Sequence, residues 1–289
     1  MKTQITNTLT ERTFGIEIEF LSAVPREYVT VIMNQAGIKM VHVESYSQAH
    51  STDYSDGTWK CVSDGSVRNG NGHNGLTFHR GYVGSCEVVS PILKGAEGLA
   101  EVRKVCDVLN NSDIKAKVNK SCGLHVHHGA EDFTEKNLKN VFYLYKAYED
   151  ELDQLVSPSR RKNNAYFCEG FKLQNRDYFK MTKFDRYYKV NLDAYARHCT
   201  VEIRHMNGTT DADKICGWTV FTQAIIERSV HSTQKVKELD NMFQGFQMYR
   251  NSGLFRNTAS EEKKAGMTVI MKQIRKWATE RKVEMGFTA

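Results

Sequence analysis

The feature that most constrains this chain is a period of two. In "TFGIEIEF", residues 13–20, Glu17 and Glu19 alternate with Ile16, Ile18 and Phe20. Successive side chains of a strand point to opposite faces, so both carboxylates share one face and the isoleucines the other. A helix would scatter the same residues around its surface. The pattern recurs three times. "CEVVS" sets Glu87 with Val89 against Cys86 and Val88, and "GLHVHHG" sets His125 and His127 against Val126 and His128. "VEIRH" sets Glu202 and Arg204 against Val201 and Ile203. Four short strands are therefore expected, each with an apolar face for a core and a polar face. If the polar faces are shared, four glutamates, two histidines and an arginine converge.

At 289 residues the chain suffices for one large domain or two small ones. With 40 Lys and Arg against 34 Asp and Glu, the net charge is +6. That mild excess suits anionic substrates such as nucleotides and implies no polyanion by itself. No apolar run approaches the ~18 residues that span a membrane, and "MKTQITNTLTERTF" lacks the apolar stretch of a secretory signal. The seven cysteines include no C-x-x-C pair. A disulfide scaffold and a four-cysteine zinc site are not expected, and a cytoplasmic setting is (a host's, if a phage encodes the chain).

Along the chain, strands are expected at 12–22, 38–45, 59–67 and 85–93, in "IKAKV" and "GLHVHHG", and at 200–206. Helices are expected at 25–36, 95–110, 134–156 and 209–230. A last helix should open with Thr258 and Glu261 spaced as a capping box. It should bury Met267, Met271, Ile274 and Trp277 at helical spacing. Residues 65–84 read as a long glycine-rich loop or an extended hairpin, and 157–180 as a polar, basic, aromatic excursion. Several neighbouring strands are joined by connections too short for a crossover helix. The predicted fold class is α+β: a mostly antiparallel, curved sheet with helices packed on one face. Residues 1–231 are read as the catalytic domain, and 232–289 as a helical extension packed on it.

Converging carboxylates repel, and some must protonate unless cations intervene. Hard oxygen ligands favour Mg²⁺ or Mn²⁺, which hold carboxylates on one side and substrate phosphates on the other. Imidazole suits Mn²⁺ better than Mg²⁺, or contacts phosphate. A fixed Arg204 would stabilise charge on a transferring phosphoryl group. Each pair also has a bland reading. Glu17 and Glu19 fit a solvated strand face, His125 and His127 an ordinary hydrogen-bonded pair, Glu202 and Arg204 a surface ion pair. The joint pattern argues against all three at once, because each pair interrupts a short apolar strand.

The ordered set "GIEIEF", "WKCVSDGSV", "CEVVSPIL", "CGLHVHHG" and "TVEIRHMNGTTDADKI" resembles the amidoligase family often found in phages and bacteria. That family is similar to glutamine synthetase and glutamate–cysteine ligase in its carboxylate–amine ligase core. The resemblance spans about residues 13–230. It implies a glutamine-synthetase-like core and ATP-dependent amide bond formation through an acyl phosphate. It implies two or three Mg²⁺ or Mn²⁺ ions held by Glu17, Glu19, Glu87, His125 and Glu202. Arg204 matches the arginine two positions after the last metal-binding glutamate and is expected to be catalytic. Asp64 and Ser66, in "DGS", fall where substrate is expected, with Asp64 a candidate for the catalysis itself. Arg186 and Lys189, in "DRYYKVNL", resemble a basic segment that meets ATP phosphates, and His127 is a further phosphate contact. The expected partners are a small-molecule or peptide acid and an amine, with neither nucleic acid nor membrane. The stretch 68–84 departs from the family's pattern in its length.

Two other classes stand beside this reading. A zinc-dependent hydrolase would use the H-x-H pair, against which the surplus of glutamates counts. A non-catalytic nucleic-acid-binding protein would use "SRRKNN" and "KQIRKWATERK". Cys61, Cys86, Cys122 and Cys199 are expected in the core, as small buried hydrophobes; pairing one as a nucleophile with His128 is the less favoured alternative.

Overall fold

The computed structural model describes residues 2–44, 56–70, 79–161, 168–170, 186–231 and 260–288. Among these the chain is α+β, and seven strands form one open sheet in the order β2-β3-β4-β1-β5-β7-β6. They are β1 (Phe14–Ser22), β2 (Met40–His42), β3 (Trp59–Val62), β4 (Gly84–Val89), β5 (Gly123–Gly129), β6 (Val190–Asn191) and β7 (Thr200–Asn207). The β1–β4, β3–β4 and β6–β7 pairings are antiparallel, and β2–β3 is parallel. The helices are α1 (Arg26–Gln35), α2 (Gly95–Asn111), α3 (Glu135–Ala147), α4 (Glu149–Asp153), α5 (Asp193–His198), α6 (Ala212–His231) and α7 (Glu261–Glu284). None of the described helices is long and apolar enough to cross a membrane. The chain divides into two compact units: residues 13–126 with 206–216, and residues 1–12 with 127–205 and 217–289.

The first unit carries the opening motif. Ile16, Ile18 and Phe20 of β1 are buried beside Cys86 and Val88 of β4 and Cys61 of β3. Register places Ile18 opposite Val88 and Phe20 opposite Cys86, so one apolar face runs across three strands. Helix α2 buries Leu99, Val102, Val105, Cys106 and Leu109, the i, i+3, i+7 stripe of an amphipathic helix. Its second turn comes close to β1 through Gly98, where an added Cβ would lie 3.0 Å from Phe14. "IKAKV" is not a ladder strand. It makes the isolated Leu21–Lys117 bridge, and Ile114 O accepts the Ala23 amide.

The second unit is built on α6, whose residues from Trp218 to Ser229 are buried nearly throughout, as in a central helix. Trp218 stacks on Phe221 at 5.8 Å, and Phe221 meets Trp277 of α7 at 5.8 Å. Met267, Met271, Ile274 and Trp277 all face inward. Helix α7 begins at Glu261 with Ser260 as its cap, accepting from the Lys263 amide. Thr258 lies outside the described residues, as do most of 157–180 and part of 68–84. The stretch read as one helix, 134–156, is two, with a break at Tyr148. Its apolar stripe nevertheless continues through Tyr145, Tyr148, Leu152 and Leu155. Cys61, Cys86 and Cys122 are buried, but Cys199 is exposed. It ends α5 in the left-handed conformation, φ +50°, and so belongs to a helix terminus rather than to a strand face.

Candidate functional site

In the first unit the alternation produces a concentrated acidic face. Glu19 stands directly opposite Glu87, and Val62 pairs with Glu87 from the other side. Glu19 is buried and accepts the Gly123 amide at 2.6 Å. Glu17, partly exposed, lies 2.8 Å from Nδ1 of buried His125, whose Nε2 is 3.5 Å from Glu19. Asp64 sits in the Asp-Gly turn after β3, its carboxylate accepting the Ser66 amide. That turn is why the "DGS" residues stay together: the Asx side chain replaces a backbone acceptor.

Two sets of donor atoms result, each within 4.8 Å of one another: Glu17, Glu87 and His125, and Glu19, Asp64 and Glu87. Glu87 belongs to both. Burial, then the charges of Glu17, Glu19 and Asp64, push the Glu87 carboxyl well above the ordinary range. A metal-free face of this kind relieves its repulsion by taking up protons. Divalent cations would relieve it without them. The donors fit such ions: the set is mostly carboxylate oxygen, two subsites share one bridging side chain, and the single imidazole favours Mn²⁺ over Mg²⁺ at its subsite. Sequence reasoning missed Lys60, which is fully buried on the same strand face as Val62 and Glu87. Its signal was a charged residue inside "WKCV", the same kind of interruption that singled out the glutamates.

The second unit holds the remaining candidates. Glu202 is buried on β7, and both of its oxygens are engaged. Arg204 donates to Oε1 at 2.5 Å and Asn191 to Oε2 at 2.6 Å. Val201 and Ile203 are buried on the opposite face. His127 Nδ1 lies 2.9 Å from the Thr200 hydroxyl, and its ring meets His198 edge-on at 6.4 Å. His128 points the other way, into the core. The Thr222 hydroxyl donates to Trp218 O, so it accepts from His128 Nε2. Burial, and then Arg12, hold His128 neutral with its pKa lowered to about 3, and the partner of its Nε2 is a threonine hydroxyl rather than a cysteine thiol.

Arg186 and Lys189 part company. Arg186 stays partly exposed, over the Tyr187 ring at 5.1 Å. Lys189 is fully buried, with Nζ 2.6 Å from Asp153 and 2.8 Å from Glu149. Asp153 also meets His205 Nε2 at 2.7 Å, and the Tyr145 hydroxyl meets His205 Nδ1 at 2.8 Å. Burial lowers the His205 pKa to about 4 despite Asp153, so the imidazole is neutral. The Lys189 ammonium is thus compensated inside a core network, and Arg186 is the one of the two basic residues that reaches solvent.

The α+β chain thus carries, in its first unit, buried carboxylates and a histidine whose donor atoms could hold a metal ion. The chain belongs to the family described as "Putative amidoligase enzyme", which matches residues 10–182 and 171–226. It is therefore a member of a ligase family. Comparison with curated proteins returned no match.

Proposed function

We propose that the protein is an ATP-dependent ligase that joins a carboxylate to an amine through an acyl phosphate. The observation that carries this reading is the pair of donor sets sharing Glu87, which suits two hard divalent cations rather than one zinc ion. Glu17, Glu19, Glu87 and His125 would hold Mg²⁺ or Mn²⁺, with Asp64 as a further oxygen donor or a substrate contact beside Ser66. Such ions, two or three in number, neutralise polyphosphate charge when bound. By the family resemblance, Glu202 is a further ligand, and Arg204, His127 and Arg186 are phosphate contacts.

In the first step an oxygen of the acid attacks the γ-phosphorus of ATP and the bond to ADP breaks. Arg204 steadies the charge on the transferring group. In the second step the amine nitrogen attacks the acyl carbon and phosphate leaves. The proton lost by the amine passes to a carboxylate base. The sheet serves as a glutamine-synthetase-like platform. Residues 1–231 act as the catalytic domain and 232–289 as an extension that carries α7, working on cytoplasmic small-molecule or peptide substrates.

The test is ADP and phosphate release with Mg²⁺ or Mn²⁺ against a panel of acids and amines. Release that requires both an acid and an amine supports the reading. ATP-independent hydrolysis restored by Zn²⁺ alone would replace it with the hydrolase.

A further inference from the structure

We infer that Asn191 is the positioning residue for Glu202, fixing its carboxylate in the orientation that presents it to a cation. This rests on the reading of Glu202 as a metal ligand. Strand β6 is only two residues long, and Asn191 is the one directly opposite Glu202 in the ladder. Both side chains are buried, at 6% and 4% exposure, so the hydrogen bond between them is shielded from water.

The direction of that bond is fixed by a second one. The Asp193 amide donates to Asn191 Oδ1 at 2.9 Å. A backbone N–H cannot accept, so the carboxamide cannot be turned around, and its NH₂ must face Glu202 Oε2. The second oxygen of Glu202 is held by Arg204. The two donors differ in what they do to a cation. A guanidinium beside Oε1 repels an arriving divalent ion and competes for the same oxygen. A neutral amide on Oε2 orients the carboxylate without adding positive charge. Asn191 can therefore stay in place when an ion binds, in the manner of the outer hydrogen bonds that aim metal-ligating carboxylates.

Asn191 also caps the Asp193 amide, and the test must separate that role from the one inferred. Asn191→Ser keeps a short side-chain oxygen for the Asp193 amide but cannot reach Glu202. Mn²⁺ binding is measured by calorimetry, without nucleotide, on the full chain as wild type, Asn191→Ser, Glu202→Ala and the double variant. Melts in EDTA check folding, and Asn191→Thr repeats the cycle should the serine variant melt early. The expected result is about a tenfold loss of affinity at one Mn²⁺ site in Asn191→Ser. Glu202→Ala abolishes that site, and the double variant equals Glu202→Ala. An unchanged affinity in Asn191→Ser would overturn the inference. So would the same loss in both backgrounds, which would mark a merely structural role. A Glu202→Ala variant that keeps every wild-type Mn²⁺ site overturns it too, while acid- and amine-dependent ADP release still decides the ligase reading separately.

Discussion

Replacing Glu87 by glutamine should make the metal-free protein more stable and the metal-loaded protein less so. Glu87 is 7% exposed and shares its surroundings with Glu17, Glu19 and Asp64. Its folded pKa lies above the ordinary 4.5. As pH rises past 4.5 the unfolded chain releases this proton while the folded one retains it, so wild-type stability falls through that range. The loss is bounded by the cost of keeping an ordinary carboxyl protonated at pH 7, about 3 kcal/mol. Glutamine has nearly the same shape and carries no charge, so Glu87→Gln should recover up to that amount in EDTA at pH 7. For a chain of this length it corresponds to roughly 5 °C in melting temperature, with almost no gain at pH 4. With Mn²⁺ the order reverses. A bound ion stabilises wild type by about 4.1 kcal/mol at a thousand times its dissociation constant, more than the bound above, and the variant gains much less. Ile18→Ala, on the opposite face of β1 and fully buried, is the control. It should cost roughly 2–5 kcal/mol with or without metal. Thermal melts in EDTA and in Mn²⁺, at pH 4 and 7, provide the comparison. A Glu87→Gln variant that melts below wild type in EDTA at pH 7, or that responds to Mn²⁺ as wild type does, would refute the reasoning.

Three other perturbations have definite expectations. Under the proposed ligase reading, Arg204→Lys should retain ATP affinity and lose about a hundredfold in kcat, because lysine keeps the charge but not the guanidinium fork; steady-state kinetics beside calorimetry reads the split. Gly217→Ala would bring a Cβ within 2.0 Å of the Trp277 indole, and the overpacking should cost about 3 kcal/mol in urea unfolding and shift tryptophan emission. His205, neutral in the folded chain with a pKa near 4 against an ordinary 6.5, contributes stability that is full above pH 6.5 and lost as pH falls toward 4. Between pH 7 and 4.5 wild type should therefore lose about 3 kcal/mol more than His205→Gln, and equal losses in urea titrations would show that His205 is not held neutral.

What could be read from the sequence depended on whether a local period was present. Ile16, Glu17, Ile18 and Glu19 were legible because a nine-residue strand repeats its two-faced pattern several times. The interior stripe of α7 was legible in the same way, since Met267, Met271, Ile274 and Trp277 recur at helical spacing within a 24-residue helix. Where an element is short, no period develops. Strand β6 has two residues, so nothing in "KVNL" distinguishes Asn191, opposite Glu202, from Lys189, buried against Asp153 and Glu149. By resemblance Lys189 belongs to a segment that meets phosphates, and the sequence shows nothing of the α4 carboxylates that enclose it. Cys199 was lost for a related reason: its left-handed φ follows from how α5 stops, which the strand beginning at Thr200 conceals.

The same reasoning explains why the charged positions were easier to find than their partners. A carboxylate inside an apolar strand is costly to bury, so its presence signals a compensating contact somewhere. The signal is local; the compensation is not. Glu19 is satisfied by the Gly123 amide, 104 positions away, and Glu87 by whatever quenches Glu17, Glu19 and Asp64 together. Glu202 is relieved by Arg204, two residues along the same strand, and by Asn191, which the β6–β7 register sets opposite it. Glu202 therefore carries its own counter-charge when metal is absent, whereas the charges that shift Glu87 are those of Glu17, Glu19 and Asp64. Stability should accordingly respond to metal removal far more through Glu87 than through Glu202. Comparing Glu87→Gln with Glu202→Gln in the EDTA melts at pH 7 makes that distinction: the first should rise, and the second should fall as Arg204 loses its ion pair.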